Sequence, residues 1–202
     1  MILQVVLATK NLDKVKEIIE IIPSHIGIKT LGDFGFVCNI DEDGSTIEEN
    51  SQKKAIEVAK LTLLPSIADD TGLFVDGLGG KPGVYSSRYA GEGASYEDNI
   101  KKLLEDMKDL RGKERVAYFR CAATIAVPGG RFITKVGEIK GIITLTPRGN
   151  GGFGYDPVFY VPRYHMTFAE MPLELKNKIS HRAKAFSMLV PFIEKVARYG
   201  SF

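Results

Sequence analysis

Two pairs of acidic residues stand where their carboxylates could bind a divalent cation. Glu48 and Glu49 precede an amphipathic helical pattern, and Asp69 and Asp70 directly follow the short apolar run 66–68. Magnesium prefers a few carboxylates together with water and substrate phosphate oxygens, so one carboxylate from each pair is enough for a site. Acids at a helix N-terminus are stabilising without any ligand, which makes the Glu pair ambiguous. The Asp pair is more informative, because ligands collect at strand ends in open α/β sheets.

A lysine stands one turn inside the first predicted helix, close to the end of an apolar strand pattern. Thr9, Lys10 and Asn11 occupy the turn between strand and helix, and Lys14 follows. Backbone N–H groups and the helix dipole favour an anion at such a helix start, and the Lys14 ammonium can reach back over it. The pattern therefore favours phosphate binding. Asn11 or Thr9 can equally cap the helix with no ligand, which is a common arrangement.

A glycine-rich segment leads into residues that suit a planar base. Phe153, Gly154, Tyr155 and Asp156 supply an aromatic ring, a flexible point and a carboxylate within four positions. Such a loop can stack on a base and accept a hydrogen bond from it. The alternative is a glycine-rich turn whose aromatic rings enter the core.

A basic stretch near the C-terminus offers further groups that bind anions. Lys176 lies five residues before His181, and Arg182 follows. Each of these residues alone is more typical of an exposed surface. Lys54, on the helix that follows Glu49, is a further candidate for contact with phosphate.

Hydrophobic periodicity predicts the elements that position these residues. Apolar runs rich in β-branched and aromatic residues indicate strands at 2–8, 66–68, 115–127 and 132–146. Apolar residues at steps of three and four indicate helices at 12–22, 46–63 and 96–110. A last helix is predicted to begin near Ser180, and Pro191 is expected to break it or to begin a further turn. In this arrangement the strand at 66–68 ends just before Asp69.

Composition points to an ordinary globular protein. The chain has 202 residues, 44% of them hydrophobic and 26% charged, with a formal net charge of +2. Such a small charge gives no reason to expect binding to nucleic acid or to a membrane surface. Cys38 and Cys121 lack metal-ligand spacing, which favours a reducing cytoplasm, and no apolar run reaches the roughly 18 to 20 residues that span a bilayer. We expect a single mixed α/β domain over residues 1–202.

Six segments, in order, resemble one known family over essentially the whole chain. The sequence closely resembles the inosine triphosphate pyrophosphatase, or Ham1-like, family in all six. The segments are ATKNLDKVKEI at 8–18, STIEENSQKKA at 45–55, IADDTGL at 67–73, PGVYSSRYAG at 82–91, GGFGYDPVF at 151–159 and KNKISHRAKAF at 176–186. One segment alone is modest evidence, whereas six in the family's order are highly specific.

The resemblance implies hydrolysis of ITP, dITP and XTP to the nucleoside monophosphate and pyrophosphate with magnesium, which cleanses the nucleotide pool. It also implies a homodimer whose elongated mixed sheet is flanked by helices, with two lobes around a central substrate cleft. Glu49 and Asp70 match the family's metal positions, and Asp70 also matches its proton acceptor. The substrate-binding positions are matched by Thr9, Lys10, Asn11, Lys14, Thr71, Phe153, Gly154, Tyr155, Asp156, Lys176, His181 and Arg182.

These matches lead to a hypothesis for mechanism and selectivity. Asp70 would orient or deprotonate the attacking water. A 6-oxo purine offers an acceptor at O6 and a donor at N1, which suits donors from His181 or Arg182 and an acceptor near Asp156. Adenine offers the reverse pair and would leave buried polar groups unpaired. Two alternatives stay open: a nucleotide sensor without turnover, and a Maf-like pyrophosphatase for modified pyrimidine nucleotides.

Overall fold

The structure, a computed structural model, describes residues 4–35, 40–200 and 202. In that part of the chain eight strands form one mixed sheet, accompanied by five α-helices. The strands are β1 (Gln4–Leu7), β2 (Gly27–Thr30), β3 (Ser66–Val75), β4 (Pro82–Gly83), β5 (Val116–Ala126), β6 (Phe132–Ile143), β7 (Phe159–Val161) and β8 (Met166–Thr167). The helices are α1 (Leu12–Ile21), α2 (Ile47–Thr62), α3 (Tyr96–Asp106), α4 (Leu173–Ile179) and α5 (His181–Tyr199). The predicted mixed α/β class is confirmed.

The sheet combines parallel and antiparallel pairs. Its strand order is β2-β1-β3-β5-β6-β7-β8, and β4 pairs with β3 outside this path. The strand β1 runs parallel to both β2 and β3, with Leu7 opposite Thr30 on one side and Ile67 on the other. The pairs β3–β4, β6–β7 and β7–β8 are antiparallel. Because β1 ends at Leu7 while β3 continues to Val75, the residues after Ile67 extend beyond the end of their parallel partner.

The chain divides into two compact units, each with its own hydrophobic core. Unit 1 comprises Met1–Asp70, Cys121–Gly137 and Arg182–Phe202, and unit 2 comprises Thr71–Arg120 and Glu138–His181. The prediction of a single domain over 1–202 stays a prediction.

In unit 1, apolar side chains leave both faces of β1. Val5 and Leu7 join a core with Ile18 of α1 and with Phe186 of α5. Val6, which points the opposite way by strand alternation, packs instead with α2 residues such as Val58. This explains why residues 5–8 form a continuous apolar run, since both faces of the strand are covered there.

In unit 2, α3 packs through Leu103 and Met107 against a core that also contains Phe119 and Phe159. The buried guanidinium of Arg115 ties this core together by donating to main-chain carbonyls. Its acceptors are Met107 O at 2.9 Å, Leu110 O at 3.4 Å, Ile143 O at 2.8 Å and Thr144 O at 2.7 Å. Four carbonyls near the ends of α3 and β6 thus share one side chain.

Two sequence predictions about boundaries are wrong. The strand predicted at 66–68 is the ten-residue β3, so Asp69 and Asp70 lie inside it rather than after it. The strand continues because Leu73 and Phe74 pair with β4. Pro191 neither breaks α5 nor begins a separate turn. Its ring is exposed, and buried Leu189 and Ile193 on either side anchor the helix despite the missing N–H.

The other predicted elements are confirmed to within a few residues, except that α3 ends at Asp106 and not near 110. Positions 2 and 3 of the first predicted strand, and Cys38, lie outside the described residues. Elements that the sequence analysis did not predict are β2, β4, β7, β8 and α4.

Candidate active site

The turn between β1 and α1 is built as a helix cap. Asn11 is the N-cap of α1, and its side-chain oxygen accepts from the backbone N–H of Asp13 at 2.9 Å and of Lys14 at 3.2 Å. Thr9 Oγ1 accepts from Asn11 N at 3.2 Å. The capping interpretation of Asn11 is therefore confirmed. Lys10 lies exposed in the same turn.

At the start of α2, the neighbouring residues Glu49 and Asn50 have different surroundings. Glu49 is exposed, and its carboxylate accepts from Ser45 N and Ser45 Oγ, both at 2.7 Å. These hydrogen bonds lower the pKa of Glu49. Asn50 is buried, accepts from Gly44 N at 2.8 Å and donates to Asp70 Oδ2 at 3.1 Å. A Cβ at position 44 would lie 2.7 Å from Asn50 Oδ1, so this close approach requires glycine.

Asp70 is a buried carboxylate beside a buried ammonium. Its side chain accepts from Asn50, and its Oδ1 lies 3.5 Å from Lys54 Nζ. Lys54 also donates to the carboxylate of Glu42 in a short hydrogen bond. Burial raises the pKa of Asp70 above its ordinary value, and the attraction of Lys54 and Lys14 offsets only part of this effect. The group is therefore a better proton acceptor than an exposed aspartate.

Asp69, next to it in β3, is the centre of a buried ion network within unit 1. Its Oδ2 lies 3.2 Å from Lys14 Nζ and accepts from Arg182 Nε at 3.2 Å and Nη2 at 3.0 Å. Arg182 uses its remaining terminal nitrogen, Nη1, to donate to buried Glu17 of α1. Although burial opposes ionisation, Lys14 and Arg182 hold the pKa of Asp69 far below its ordinary value. Asp69 is thus the anchoring member of the pair.

The same interactions keep Arg182 and Lys54 charged. Burial disfavours the Arg182 guanidinium, but Asp69 and Glu17 outweigh it and raise the pKa of Arg182. For Lys54, burial is likewise outweighed, and Asp70 and Glu42 raise its pKa. The network contains three cations, Lys14, Lys54 and Arg182, and four carboxylates, Glu17, Glu42, Asp69 and Asp70.

The donor chemistry fits a magnesium ion that takes few ligands from the protein. In the described parts of the chain, no three His, Cys, Asp or Glu side chains converge as a complete metal-binding group. Magnesium does not require one, since it commonly keeps waters and substrate phosphates beside one or two carboxylates. Asp70 supplies such a carboxylate, and Glu49 precedes the residue that contacts it. Glu49 would first have to release or share its hydrogen bonds with Ser45.

In unit 2 the glycine-rich loop holds Asp156 in a fixed position. Asp156 is buried, accepts from Phe153 N at 2.9 Å and pairs with the buried Lys176 ammonium. Gly152 has φ +68°, and a Cβ there would lie 2.0 Å from Asp156 Oδ2. The Lys176 ammonium also lies over the rings of Phe153, at 5.1 Å, and Phe168, at 5.5 Å. The loop thus gathers a carboxylate, an ammonium and an aromatic ring.

His181 lies among aromatic rings of the same unit. Its imidazole is nearly parallel to the ring of Phe119, with 4.6 Å between centroids and an angle of 11° between planes. Phe168 lies on a second side at 6.2 Å. His181 is 3% exposed.

The remaining predicted residues occupy different surroundings. Tyr155 is buried and donates to Ser86 O at 2.9 Å, and burial raises its pKa. Gly154 has φ +60°, which favours glycine. Thr71 lies partly buried in β3. The alternative in which the loop's aromatic rings enter the core is therefore correct for Tyr155, whereas Phe153 contacts Tyr96 near the surface with 5.9 Å between centroids.

Sequence reasoning missed three residues that organise these groups. Glu17 is an acid on the buried side of α1 directly before Ile18, and that position was its only signal. Glu42 stands in the acidic run 41–43, and nothing else in the sequence marks it. Phe119 carried no signal beyond strand alternation, because its contact with His181 joins positions 62 residues apart.

Comparison with known proteins identifies the family. A buried Asp pair in a mixed α/β sheet, with a lysine-bearing helix start and a glycine-rich aromatic loop, is typical of enzymes that act on nucleotides. Residues 5–192 match the model of the Ham1 family. The chain belongs to the Ham1 family.

Relatives and solved structures match the chain over nearly its full length. It is 48% identical over 187 residues to a dITP/XTP pyrophosphatase of Geobacter sulfurreducens, which covers 92% of this chain and 94% of the relative. It is 46% identical over 192 residues to a dITP/XTP pyrophosphatase of Bacillus subtilis, covering 95% and 97%.

The structure of a HAM1 protein from Coxiella burnetii is 39% identical, with a TM-score of 0.87 and coverage of 96% and 99%. The Ham1 protein of Staphylococcus aureus is 38% identical, with a TM-score of 0.85 and coverage of 95% and 98%. Sequence and fold therefore agree along the whole length of the match.

Proposed function

We propose that this chain is a magnesium-dependent pyrophosphohydrolase that converts dITP, XTP and ITP to the nucleoside monophosphate and pyrophosphate. The observation that carries the proposal is the buried Asp70, held by Asn50 beside Lys54, in a chain of the Ham1 family. A reactive carboxylate must be both oriented and available to accept a proton, and this arrangement meets both needs.

The triphosphate is bound by cationic groups of unit 1. Lys14 projects from the first turn of α1 to Asp69, and its side chain, which is 15% exposed, can reach a phosphate oxygen. Thr9, Lys10 and the N-terminal N–H groups of α1 lie at the same helix start, which favours anions. Lys54 is a second cation close to Asp70. These groups neutralise charge on the triphosphate as the bond to the leaving group breaks.

Asp70 acts on the attacking water. Its Oδ2 is fixed by the Asn50 amide, so one carboxylate edge has a defined direction. Because burial raises its pKa, the carboxylate takes up a proton more readily than an exposed aspartate. Asp69, whose oxygen is already shared by Lys14 and Arg182, is poorly suited to this role.

Glu49 and Asp70 would hold the magnesium ion, directly or through water. When bound, the ion supplies Lewis-acid stabilisation of charge on phosphate oxygens.

Family resemblance further supports a homodimer and a cytoplasmic location. No helix in residues 4–35, 40–200 and 202 is long and apolar enough to cross a bilayer.

The base is recognised by residues of unit 2. Phe153 provides a ring for stacking, and His181 provides a hydrogen-bonding edge for O6 of a 6-oxo purine. Asp156 and Lys176 offer an acceptor and a donor next to that ring. Adenine offers the opposite hydrogen-bonding pattern, which these groups match poorly, so ATP is rejected.

A substrate panel tests the proposal. Pyrophosphate release is measured from dITP, XTP, ITP, GTP, ATP and dUTP, each with and without magnesium. Magnesium-dependent release from dITP, XTP and ITP, with little from ATP and dUTP, is the expected result. Release mainly from modified pyrimidine nucleotides would instead indicate a Maf-like pyrophosphatase. Binding of ITP without release from any nucleotide would indicate a sensor.

A further inference from the structure

The plane of the His181 ring is not determined by its own rotamer preferences. His181 is the first residue of α5 and follows Ser180, the C-cap of α4, so it lies at a junction of two helices. The second side-chain torsion of histidine has broad minima, so a neighbouring surface must select one ring orientation. A hydrogen-bonding edge is useful for base recognition only when that orientation is fixed.

Phe119 supplies a flat surface against the His181 ring. The two rings are 11° from parallel, with centroids 4.6 Å apart, as in an offset stack. Both side chains are almost completely buried. Phe168 packs at 6.2 Å from the imidazole, with its plane inclined by 23°. If the imidazole rotated out of its present plane, it would therefore collide with Phe119 and the stacking contact between the two rings would be lost.

Phe119 is itself held firmly. It lies on β5, an interior strand with a neighbour on each side in the sheet. Its ring also packs against Phe159, with 4.6 Å between centroids, and against Phe168 at 5.9 Å. A side chain constrained by strand geometry and by two further rings can fix the orientation of a third group.

We infer that Phe119 is a positioning residue for base recognition: its ring sets the plane of His181 and thereby the direction of the imidazole N–H. The inference rests on the proposed function, in which His181 contacts the base. Phe119 itself touches no substrate atom in this proposal. Because it orients His181, Phe119 determines how strongly the site discriminates a 6-oxo purine from adenine.

The test uses Phe119→Leu and Phe119→Met, which remove the ring and keep much of the apolar volume. The control is Leu103→Ala, which removes apolar volume from the same core at a fully buried position of α3. For the Phe119 variants we expect KM for dITP to rise about tenfold with a much smaller change in kcat, the size expected for loss of one aromatic contact. We also expect the ratio of kcat/KM for dITP to that for dATP to fall by about tenfold, and the control to keep the wild-type ratio.

Nuclear magnetic resonance gives an independent readout that needs no activity. The chain has three histidines, His25, His165 and His181. The stacked ring shifts the carbon-bound imidazole protons of His181 to high field, and loss of the Phe119 ring removes this shift. His25 and His165 serve as internal references. The same spectra show whether each variant is folded.

The outcomes separate the inference from the proposed function. Wild-type protein that hydrolyses no nucleotide in the panel overturns the proposed function, and the spectra then decide the inference alone. An unchanged His181 resonance in both Phe119 variants overturns the inference. Equal losses of selectivity in Phe119→Leu and Leu103→Ala also overturn it, because core packing alone then accounts for the effect.

Discussion

Arg182 holds Asp69 with two nitrogens of one guanidinium, Nε at 3.2 Å and Nη2 at 3.0 Å from the same carboxylate oxygen. The contact joins the start of α5 to the middle of β3 within unit 1. The remaining terminal nitrogen reaches Glu17 on α1, so a single side chain connects three elements of that unit. A lysine side chain has a single ammonium nitrogen, so it cannot reproduce this geometry.

Removal of this guanidinium should destabilise the protein severely. In Arg182→Met, Asp69 and Glu17 lose their shared cation while buried, and breaking a buried ion pair typically costs about 3 to 5 kcal/mol. We expect the free energy of unfolding, measured by urea denaturation, to fall by that amount. Lys195→Met changes an exposed residue of the same helix and should leave it almost unchanged. Equal effects of the two substitutions would contradict this account of the network.

Asp70→Asn should abolish turnover and preserve the fold. The amide retains the shape of the carboxylate but cannot accept the proton from water. A fall in pyrophosphate release from dITP of at least about 100-fold is expected, in line with the usual contribution of a general base. Asp76→Asn, at an exposed position just beyond the same strand, is the control and should keep full activity. A folded Asp70→Asn variant with near wild-type turnover would remove Asp70 from the mechanism.

Gly152→Ala should weaken substrate binding more than it weakens the fold. The new Cβ would lie 2.0 Å from Asp156 Oδ2 and must displace that carboxylate from Phe153 N and Lys176. Gly130 also has a positive φ, +82°, but a Cβ there meets no atom within 4 Å. Gly130→Ala therefore carries the backbone penalty of about 1 kcal/mol or more without the collision.

Kinetics and thermal melting of the two alanine variants separate these effects. Both variants should lose thermal stability, whereas only Gly152→Ala should raise KM for dITP. If KM rises equally in both, the position of Asp156 is not important for binding.

A surface contact in unit 2 should make stability depend on pH in acid. Tyr89 donates to Asp106 Oδ2 at 2.6 Å, and Lys102 lies 3.1 Å from the same oxygen. These contacts lower the pKa of Asp106, led by the Tyr89 hydrogen bond. A carboxyl group with a depressed folded pKa stabilises the protein above its unfolded pKa, about 3.9, and this contribution is lost as pH falls through the folded value.

We therefore expect Asp106→Asn to unfold with a shallower dependence on pH below about pH 4. Tyr89→Phe keeps the ring near Lys102 but removes the hydrogen bond, and should reproduce most of the change. Denaturation curves between pH 2 and pH 6 provide the measurement. The effect should be small, since the group is mostly exposed and water screens its charge. Identical slopes in all three proteins would rule out this contribution.

Much of the fold could be predicted from the sequence where apolar periodicity is strong. Helices α1 and α2 and the long strands β5 and β6 have clear patterns, and all four were found within a few residues. Short strands such as β7 and β8 carry too few residues for a period to be detected. The length of β3 depends on its pairing with β4, a tertiary contact that local pattern does not contain. Pro191 is tolerated for a similar reason, because packed neighbours stabilise the helix around it.

The residues of the candidate site were likewise predictable where they belong to sequence motifs, and not where their role depends on tertiary contacts. Asp70, Lys14 and Asp156 belong to motifs, and their surroundings in each unit agree with chemically active groups. Of the Asp pair that the sequence singled out, Asp69 is the member anchored by Arg182. Glu17 and Phe119 could not be found in this way, because their importance depends on residues far away in the chain. The assignment of substrate and metal positions stays a prediction.

The order of the segments in unit 1 affects how the chain folds during synthesis. Val5 and Leu7 of the first strand are buried in one core with Phe186, Leu189 and Ile193, which are translated 179 to 188 residues later. Proteins are made from the N-terminus, so the apolar face of β1 and α1 emerges long before its final covering. Over that interval the apolar face of β1 and α1 lacks its covering from α5, and this core closes only after Ile193 has left the ribosome.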